Sequence, residues 1–129
     1  MKVRIIWNLY KQSFTLQGRS SRKEFCVFYL FTTLLHISAV ALDVLYFGLE
    51  FKGEFTPTLL FSFLLTILPL FSVSVRRLHD IGLNGWYLLL HLIPFVGWLI
   101  TLMILVRSGT EGDNEYGPQP GASAMHLKI

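Results

Sequence analysis

The densest group of residues able to do chemistry lies in the middle of the chain, in the run Arg76-Arg77-Leu78-His79-Asp80. Guanidinium groups bind phosphate through paired N–H donors, and a histidine beside an aspartate can act as a base. On a helix, Arg76, His79 and Asp80 would share one face, with an Arg76–Asp80 ion pair, and Arg77 would point about 100° away. The run therefore favours an anion site, an anchoring ion pair or an acid–base pair.

A second basic group, Arg19, Arg22 and Lys23, comes just before the first apolar stretch. If both groups lie at the level of the lipid headgroups, they can bind anionic lipid or another ligand together. The alternative is that the basic residues only anchor the chain by their charge. The candidate site for an anionic lipid or ligand comprises Arg19, Arg22, Lys23, Arg76, Arg77, His79 and Asp80.

Three ionisable residues fall inside the apolar stretches: His36 and Asp43 in the first, seven positions apart, and His91 in the third. An ionisable group at membrane depth is costly and is often functional. His36, Asp43 and His91 could line a proton or solute path. Alternatively, each histidine is held by a hydrogen bond between helices, and Asp43 reaches the outer interface.

Three apolar stretches, residues 25–49, 55–75 and 86–106, must position these groups. Twenty helical residues at about 1.5 Å each cross the roughly 30 Å hydrocarbon core of a bilayer. The chain is 53% hydrophobic and only 15% charged, which excludes a disordered protein and argues against a water-soluble enzyme. We predict an all-α integral membrane protein with three transmembrane helices.

Local signals place the ends of these helices. Ser21 and Glu24 form a capping box, Thr56 before Pro57 is an N-cap, Gly82 can end the second helix, and Asn84 can begin the third. The predicted spans are residues 22–49, 57–81 and 85–107. Pro94 with Gly97 leaves open a third segment that enters the membrane and returns.

An amphipathic helix at about residues 2–17 precedes the first span. Its apolar residues recur every three or four positions and share one face: Val3, Ile6, Trp7, Tyr10 and Phe14. Basic amphipathic helices beside a span commonly lie in the headgroup plane, and packing on a neighbouring subunit or loop is the alternative. The predicted organisation is one membrane domain, residues 1–120, with a turn-rich C-terminal tail at residues 108–129.

The distribution of basic residues sets the orientation. With three spans, eight Lys and Arg residues lie on the side of the N-terminus and three on the other side, which includes Lys52. The positive-inside rule then places the N-terminus in the cytoplasm. The net charge of +3 therefore indicates a membrane surface rather than nucleic acid as the partner.

The usual catalytic and metal-binding signatures are missing from the sequence. It has one cysteine, and it contains no HExxH, GxSxG or phosphate-loop motif. We therefore expect no catalytic residue, no metal and no cofactor.

Four motifs in the same order resemble those of a small bacterial inner-membrane family called domain of unknown function 805. They are residues 18–25 (GRSSRKEF), 76–86 (RRLHDIGLNGW), 93–98 (IPFVGW) and 109–118 (GTEGDNEYGP). The resemblance runs from about residue 8 to residue 120. It implies a multi-pass protein of the bacterial inner membrane, and it implies no established activity.

The leading interpretation is a non-enzymatic membrane protein that associates with anionic lipid, with itself or with other membrane proteins through the basic residues. The alternative is an oligomeric transporter or channel subunit that uses His36, Asp43 and His91. A third hypothesis, a lipid-headgroup enzyme, would use His79 and Asp80 as its acid–base pair.

Overall fold

The computed structural model describes residues 2–48 and 56–121, and this part of the chain is helical without strands. Lys52, which entered the charge count, lies outside the described residues. The helices are α1 (Lys2–Lys11), α2 (Arg22–Phe47), α3 (Pro57–Asp80), a 3-10 helix (Gly85–Leu92) and α4 (Val96–Val106). The predicted all-α class is confirmed for the described residues.

Helices α2 and α3 are long and apolar enough to cross a membrane. Only 22% of the most apolar window of α2, and 39% of that of α3, is buried inside the chain. The core helices of a soluble protein are buried, whereas these two expose large apolar side chains, among them Leu34, Ile37, Phe61, Leu64 and Leu68. Exposed apolar surfaces of this kind are stable when they contact the hydrocarbon chains of lipids.

The predicted N-cap of α2 is confirmed. The Ser21 hydroxyl accepts a hydrogen bond from the Glu24 N–H at 3.2 Å, and the Glu24 carboxylate accepts one from the Ser21 N–H at 2.9 Å. The cap of α3 is different, because Thr56 stands at the N-cap but its side chain makes no capping bond. Asp43 of α2 replaces it by accepting hydrogen bonds from the Thr56 hydroxyl and, at 3.2 Å, from the Leu59 N–H.

Helix α3 ends as predicted around Gly82, which has a φ of 77°. The Gly82 N–H donates to the carbonyl of His79 at 3.1 Å, and the Leu83 N–H donates to the carbonyl of Leu78 at 2.9 Å. This pair of bonds is a Schellman motif, and its left-handed position favours glycine. The motif turns the chain at once into the next segment.

The third apolar segment is not the continuous helix predicted for residues 85–107. It consists of the 3-10 helix and α4, which are separated at Pro94 and at Phe95, whose φ is 68°. A proline inside a helix removes a backbone donor and clashes with the preceding turn, which explains the break. Helix α4 has 11 residues, about 16 Å, and is too short to cross a bilayer alone.

The two halves of this segment form a hairpin. A Cβ at Gly97 would lie 2.7 Å from the Cα of His91, so the halves approach closely where α4 begins. Gly85 at the start of the hairpin lies against Val75, and the Arg77 guanidinium binds the carbonyl of Arg107 at its end. Both ends of the segment therefore lie beside the C-terminal end of α3.

Helix α1 is shorter than predicted, ending at Lys11, and it packs on the bundle. Leu9 is buried, and Tyr10 meets Phe28 of α2 edge-on, with ring centroids 5.7 Å apart. Trp7 and Phe14 point outward and are 62% and 85% exposed. Of the residues predicted to share one face, Tyr10 therefore packs on the bundle, whereas Trp7 and Phe14 face the surroundings.

The hairpin predicts that the segment after α4 lies on the same side of the membrane as the segment before α2. In a Cys26→Ser background, cysteines introduced at Gln17 and Glu111, both exposed, should react with a membrane-impermeant maleimide from the same side. A cysteine at Pro57, exposed at the other end of α3, should react from the opposite side. Comparing spheroplasts with inverted vesicles measures this, and Gln17→Cys and Glu111→Cys reacting from opposite sides would contradict the hairpin.

Candidate functional site

Asp80, the last residue of α3, lies between two arginines. The Arg77 guanidinium binds one carboxylate oxygen through Nη1, and Arg19 binds the other through Nε and Nη2, both at 2.9 Å. The side chains of Arg19 and Arg77 are 0% exposed, and that of Asp80 is 5% exposed. We call this group the Arg19–Asp80–Arg77 cluster.

The predicted ion pair between Arg76 and Asp80 is wrong. Positions three and four apart on a helix can both pair, so the sequence alone could not choose between Arg76 and Arg77. The face of α3 that carries Arg77 turns toward α4, whereas Arg76 turns toward the segment after α1 and binds the Gln12 side chain. The orientation of α3 in the bundle therefore selects Arg77.

Both arginines also bind backbone carbonyls of distant segments. Arg77 donates from Nε to the carbonyl of Ile104 at 3.2 Å and from Nη2 to that of Arg107. Arg19 donates to the carbonyls of Thr110 and Gly112, each at 2.6 Å. Through one carboxylate, the cluster joins the linker before α2, the end of α3, the end of α4 and the segment that follows.

The segment after α4 completes the C-terminal cap of α3. The Thr110 N–H donates to the carbonyl of Asp80 at 2.8 Å, and the Asn114 side-chain amide donates to that of His79 at 2.9 Å. The Ser20 N–H satisfies the carbonyl of Arg76 at 3.0 Å. The sequence predicted a turn-rich tail from residue 108. Its described part, residues 108–121, packs onto the bundle as part of the fold.

Gly109 is required at its position because its Cα faces the Asp80 carboxylate. A Cβ there would overlap the carboxylate oxygens. Thr110, Asn114 and Tyr116 were not among the predicted site residues, although the motif containing them was recognised. Only their hydrogen bonds and packing reveal what these residues contribute.

His79 is held in place and does not form an acid–base pair with Asp80. Its Nδ1 lies 3.2 Å from the carbonyl of Gly18, to which it donates, and its ring stacks on Tyr116 with centroids 4.0 Å apart. Burial, together with the hydrogen bond to the neighbouring Glu115 carboxylate and its charge, raises the pKa of Tyr116 above its ordinary value. The pairing that a headgroup enzyme would need is therefore not formed.

Arg76 is the least satisfied polar side chain of this region. It is buried, and its Nη1 donates to the Gln12 side chain, while Nε and Nη2 have no partner among the described residues. Ser72, one turn earlier, donates to the carbonyl of Thr15 at 2.7 Å. The two side chains fix the linker between α1 and α2 against α3.

A polar cavity of about 260 Å³ opens beside the cluster. Arg22, at the first position of α2, is exposed at this cavity, and its neighbour Lys23 is exposed outside it. The net charge of the cavity wall is positive, because it contains three arginines and one carboxylate, that of Asp80. The cavity is lined by Arg19, Ser21, Arg22, Arg77, Asp80, Ser108, Gly109, Thr110, Gln119 and Pro120.

The three predicted intramembrane residues are not brought together. His36 and His91 line one cavity within the bundle, where they bind Thr66 and Thr101 at 3.1 and 2.9 Å, and the cavity opens to the surroundings at His91, which is exposed. Asp43 is buried at the N-terminus of α3, which it caps. Since Asp43 has this separate role, the arrangement does not favour a path lined by all three residues.

Within residues 2–48 and 56–121, no three His, Cys, Asp or Glu side chains are grouped closely enough to hold a metal ion. The two histidines of the bundle cavity each bind a threonine hydroxyl instead.

The buried Asp80 predicts a large effect of a small substitution. Asp80→Asn removes the charge that both arginines face, and breaking a buried ion pair should lower the free energy of unfolding by about 3–5 kcal/mol. The control is Asp113→Asn, the same substitution at an exposed position in the segment after α4. It should leave the free energy of unfolding almost unchanged. Unfolding in mixed micelles measures both variants, and equal stability of Asp80→Asn and the unchanged protein would contradict the role of the cluster.

Comparison with known proteins assigns the family. The profile of a family described as "Protein of unknown function (DUF805)" matches residues 13–118. The inner membrane protein YhaH of Escherichia coli K12 is 38% identical over 104 residues, which cover 81% of this chain and 85% of YhaH. The inner membrane protein YhaI of the same strain is 39% identical over 106 residues, which cover 80% of this chain and 83% of YhaI.

No solved structure matches the chain. The family match extends from Ser13 to Pro118 and so includes the whole Arg19–Asp80–Arg77 cluster and its capping segment. The chain belongs to the DUF805 family of inner membrane proteins, whose function is unknown.

Proposed function

We propose that this protein is a non-enzymatic inner membrane protein that binds the phosphate groups of anionic lipids at the cytoplasmic face. The observation that carries the proposal is the positively charged cavity beside Asp80. Arg19 and Arg77 line it, but their N–H groups donate to Asp80 and to backbone carbonyls. These two arginines therefore contribute positive charge at fixed positions. Arg22 is exposed and can reach a phosphate directly.

The N-terminus of α2 adds to this charge. The first N–H groups of a helix have no partner inside the helix, and the dipole there favours an anion. Ser21, the N-cap residue of α2, also lines the cavity. A cavity of about 260 Å³ holds a phosphodiester group while the rest of the lipid extends outside it.

The proposed orientation places this cavity at the cytoplasmic surface. With the third segment forming a hairpin, the basic residues of the described chain lie in α1, in the linker after it, or at the ends of α2, α3 and α4 that meet at the cluster. A strong bias of Lys and Arg to one side favours the cytoplasm. The outward Trp7 of α1, with Phe14 in the linker after it, then suits an interfacial position for this part of the chain.

We also propose that the protein associates with a second copy or with another membrane protein. The hairpin turn at Pro94 and Phe95 has irregular backbone about 16 Å from the cluster end, and Phe95 is exposed. Irregular backbone at membrane depth is stable where protein covers it. This geometry supports a partner helix at the turn.

The lipid proposal predicts a specific effect of Arg22. Arg22→Gln should reduce the retention of phosphatidylglycerol about fivefold, since one basic residue near an anionic surface contributes about 1 kcal/mol. Lys23→Gln removes an exposed charge at the adjacent position, outside the cavity, and should reduce retention less. Native mass spectrometry of the protein released from mild detergent measures the lipid that remains bound.

The two variants also separate a defined cavity from a diffuse charge effect. Equal lipid loss in Arg22→Gln and Lys23→Gln, or no loss in either, would contradict the proposed cavity. Substituting Arg77 is a poor test of lipid binding, because that change also breaks the ion pair that holds the fold.

A further inference from the structure

The cavity within the bundle has features that neither the cluster nor the lipid proposal uses. It has a volume of about 540 Å³ and lies between α2, α3, the 3-10 helix and α4. Binding sites for small molecules commonly have volumes of about 300–1,000 Å³ and mainly apolar walls with a few polar groups. Aliphatic side chains and four aromatic residues line this cavity, the latter being Phe25, Tyr29, Phe63 and Phe71.

The hydrogen bonds of the two threonines indicate the direction of their bonds with the two histidines. The Thr66 hydroxyl donates to the carbonyl of Ser62 at 2.9 Å, so it accepts the bond from His36 Nε2. The Thr101 hydroxyl donates to the carbonyl of Gly97 at 3.1 Å, so it accepts the bond from His91 Nε2. An imidazole that carries a single proton, and donates it from Nε2, has Nδ1 as its acceptor.

His36 lies 14 residues after the start of α2, about 21 Å along the helix, and the cavity extends from there toward the cluster end, where Phe25, Ser74 and Ile104 line it. Its mainly apolar wall favours a molecule that is soluble in the apolar part of the membrane. Imidazole acceptors in a mainly apolar space favour a ligand with a hydrogen-bond donor. Aromatic walls favour an aromatic body, through stacked and edge-on contacts.

We propose that the cavity binds a lipid-soluble phenol, whose ring lies among the aromatic residues and whose hydroxyl donates to Nδ1 of His36 or His91. A plain acyl chain would fill the same volume without using the acceptors. The proposal concerns binding alone and does not depend on the proposed lipid function.

The test compares 4-nonylphenol with its methyl ether, 4-nonylanisole, which has a methoxy group in place of the hydroxyl donor. Saturable binding to the full chain in nanodiscs is measured by calorimetry, with empty nanodiscs to subtract partition into lipid. One hydrogen bond in the cavity predicts that the anisole binds about fivefold more weakly than the phenol. Equal affinities, or no saturable binding of either probe, would overturn the proposal.

Two sets of variants locate the site. The double variant His36→Phe and His91→Phe keeps ring-sized side chains and should bind both probes equally well. Ile67→Trp adds a large ring at the cavity wall and should abolish saturable binding, whereas Ile37→Trp, at a position of α2 that is also exposed but lies outside the cavity, should leave it unchanged. Retained preference for the phenol in the double histidine variant, or loss of binding in Ile37→Trp alone, would contradict the assignment.

Discussion

The burial of the Asp80 carboxylate constrains the rest of this structure. A buried charge is stable only if it is paired and hydrogen-bonded, so Asp80 requires both Arg19 and Arg77. The two buried guanidinium groups have further N–H donors. These donate to backbone carbonyls of α4 and of the segment after it. One carboxylate thereby fixes how four separate parts of the chain meet.

The same requirement explains the hairpin. Because Arg77 binds the carbonyls of Ile104 and Arg107, α4 must end beside the end of α3, where the third apolar segment also begins. A segment that starts and ends at one level cannot cross the bilayer. The two helices that can cross it, α2 and α3, face outward with apolar side chains, while the polar contacts gather where α3 ends.

Local signals were sufficient for the helix ends that depend on neighbours in sequence, such as the Ser21–Glu24 capping box and the turn at Gly82. Features set by tertiary packing could not be predicted. The choice of Arg77 over Arg76 depends on how α3 is rotated, and Asp43 replaces Thr56 as the cap of α3 because α2 brings its carboxylate there. Pro94 predicted an interruption of the third helix. A proline is equally consistent with a kinked transmembrane helix and with a hairpin, so it could not distinguish the two.

Hydrogen exchange tests most directly whether the Arg19–Asp80–Arg77 cluster joins these segments. The amides of Ser20 and Thr110 bind separate carbonyls of α3, those of Arg76 and Asp80. Arg77→Lys keeps the charge but loses the planar fork, so the account predicts faster exchange of both amides to a similar degree. Faster exchange of Thr110 with unchanged protection of Ser20 would show that the segments are held independently and would contradict the account.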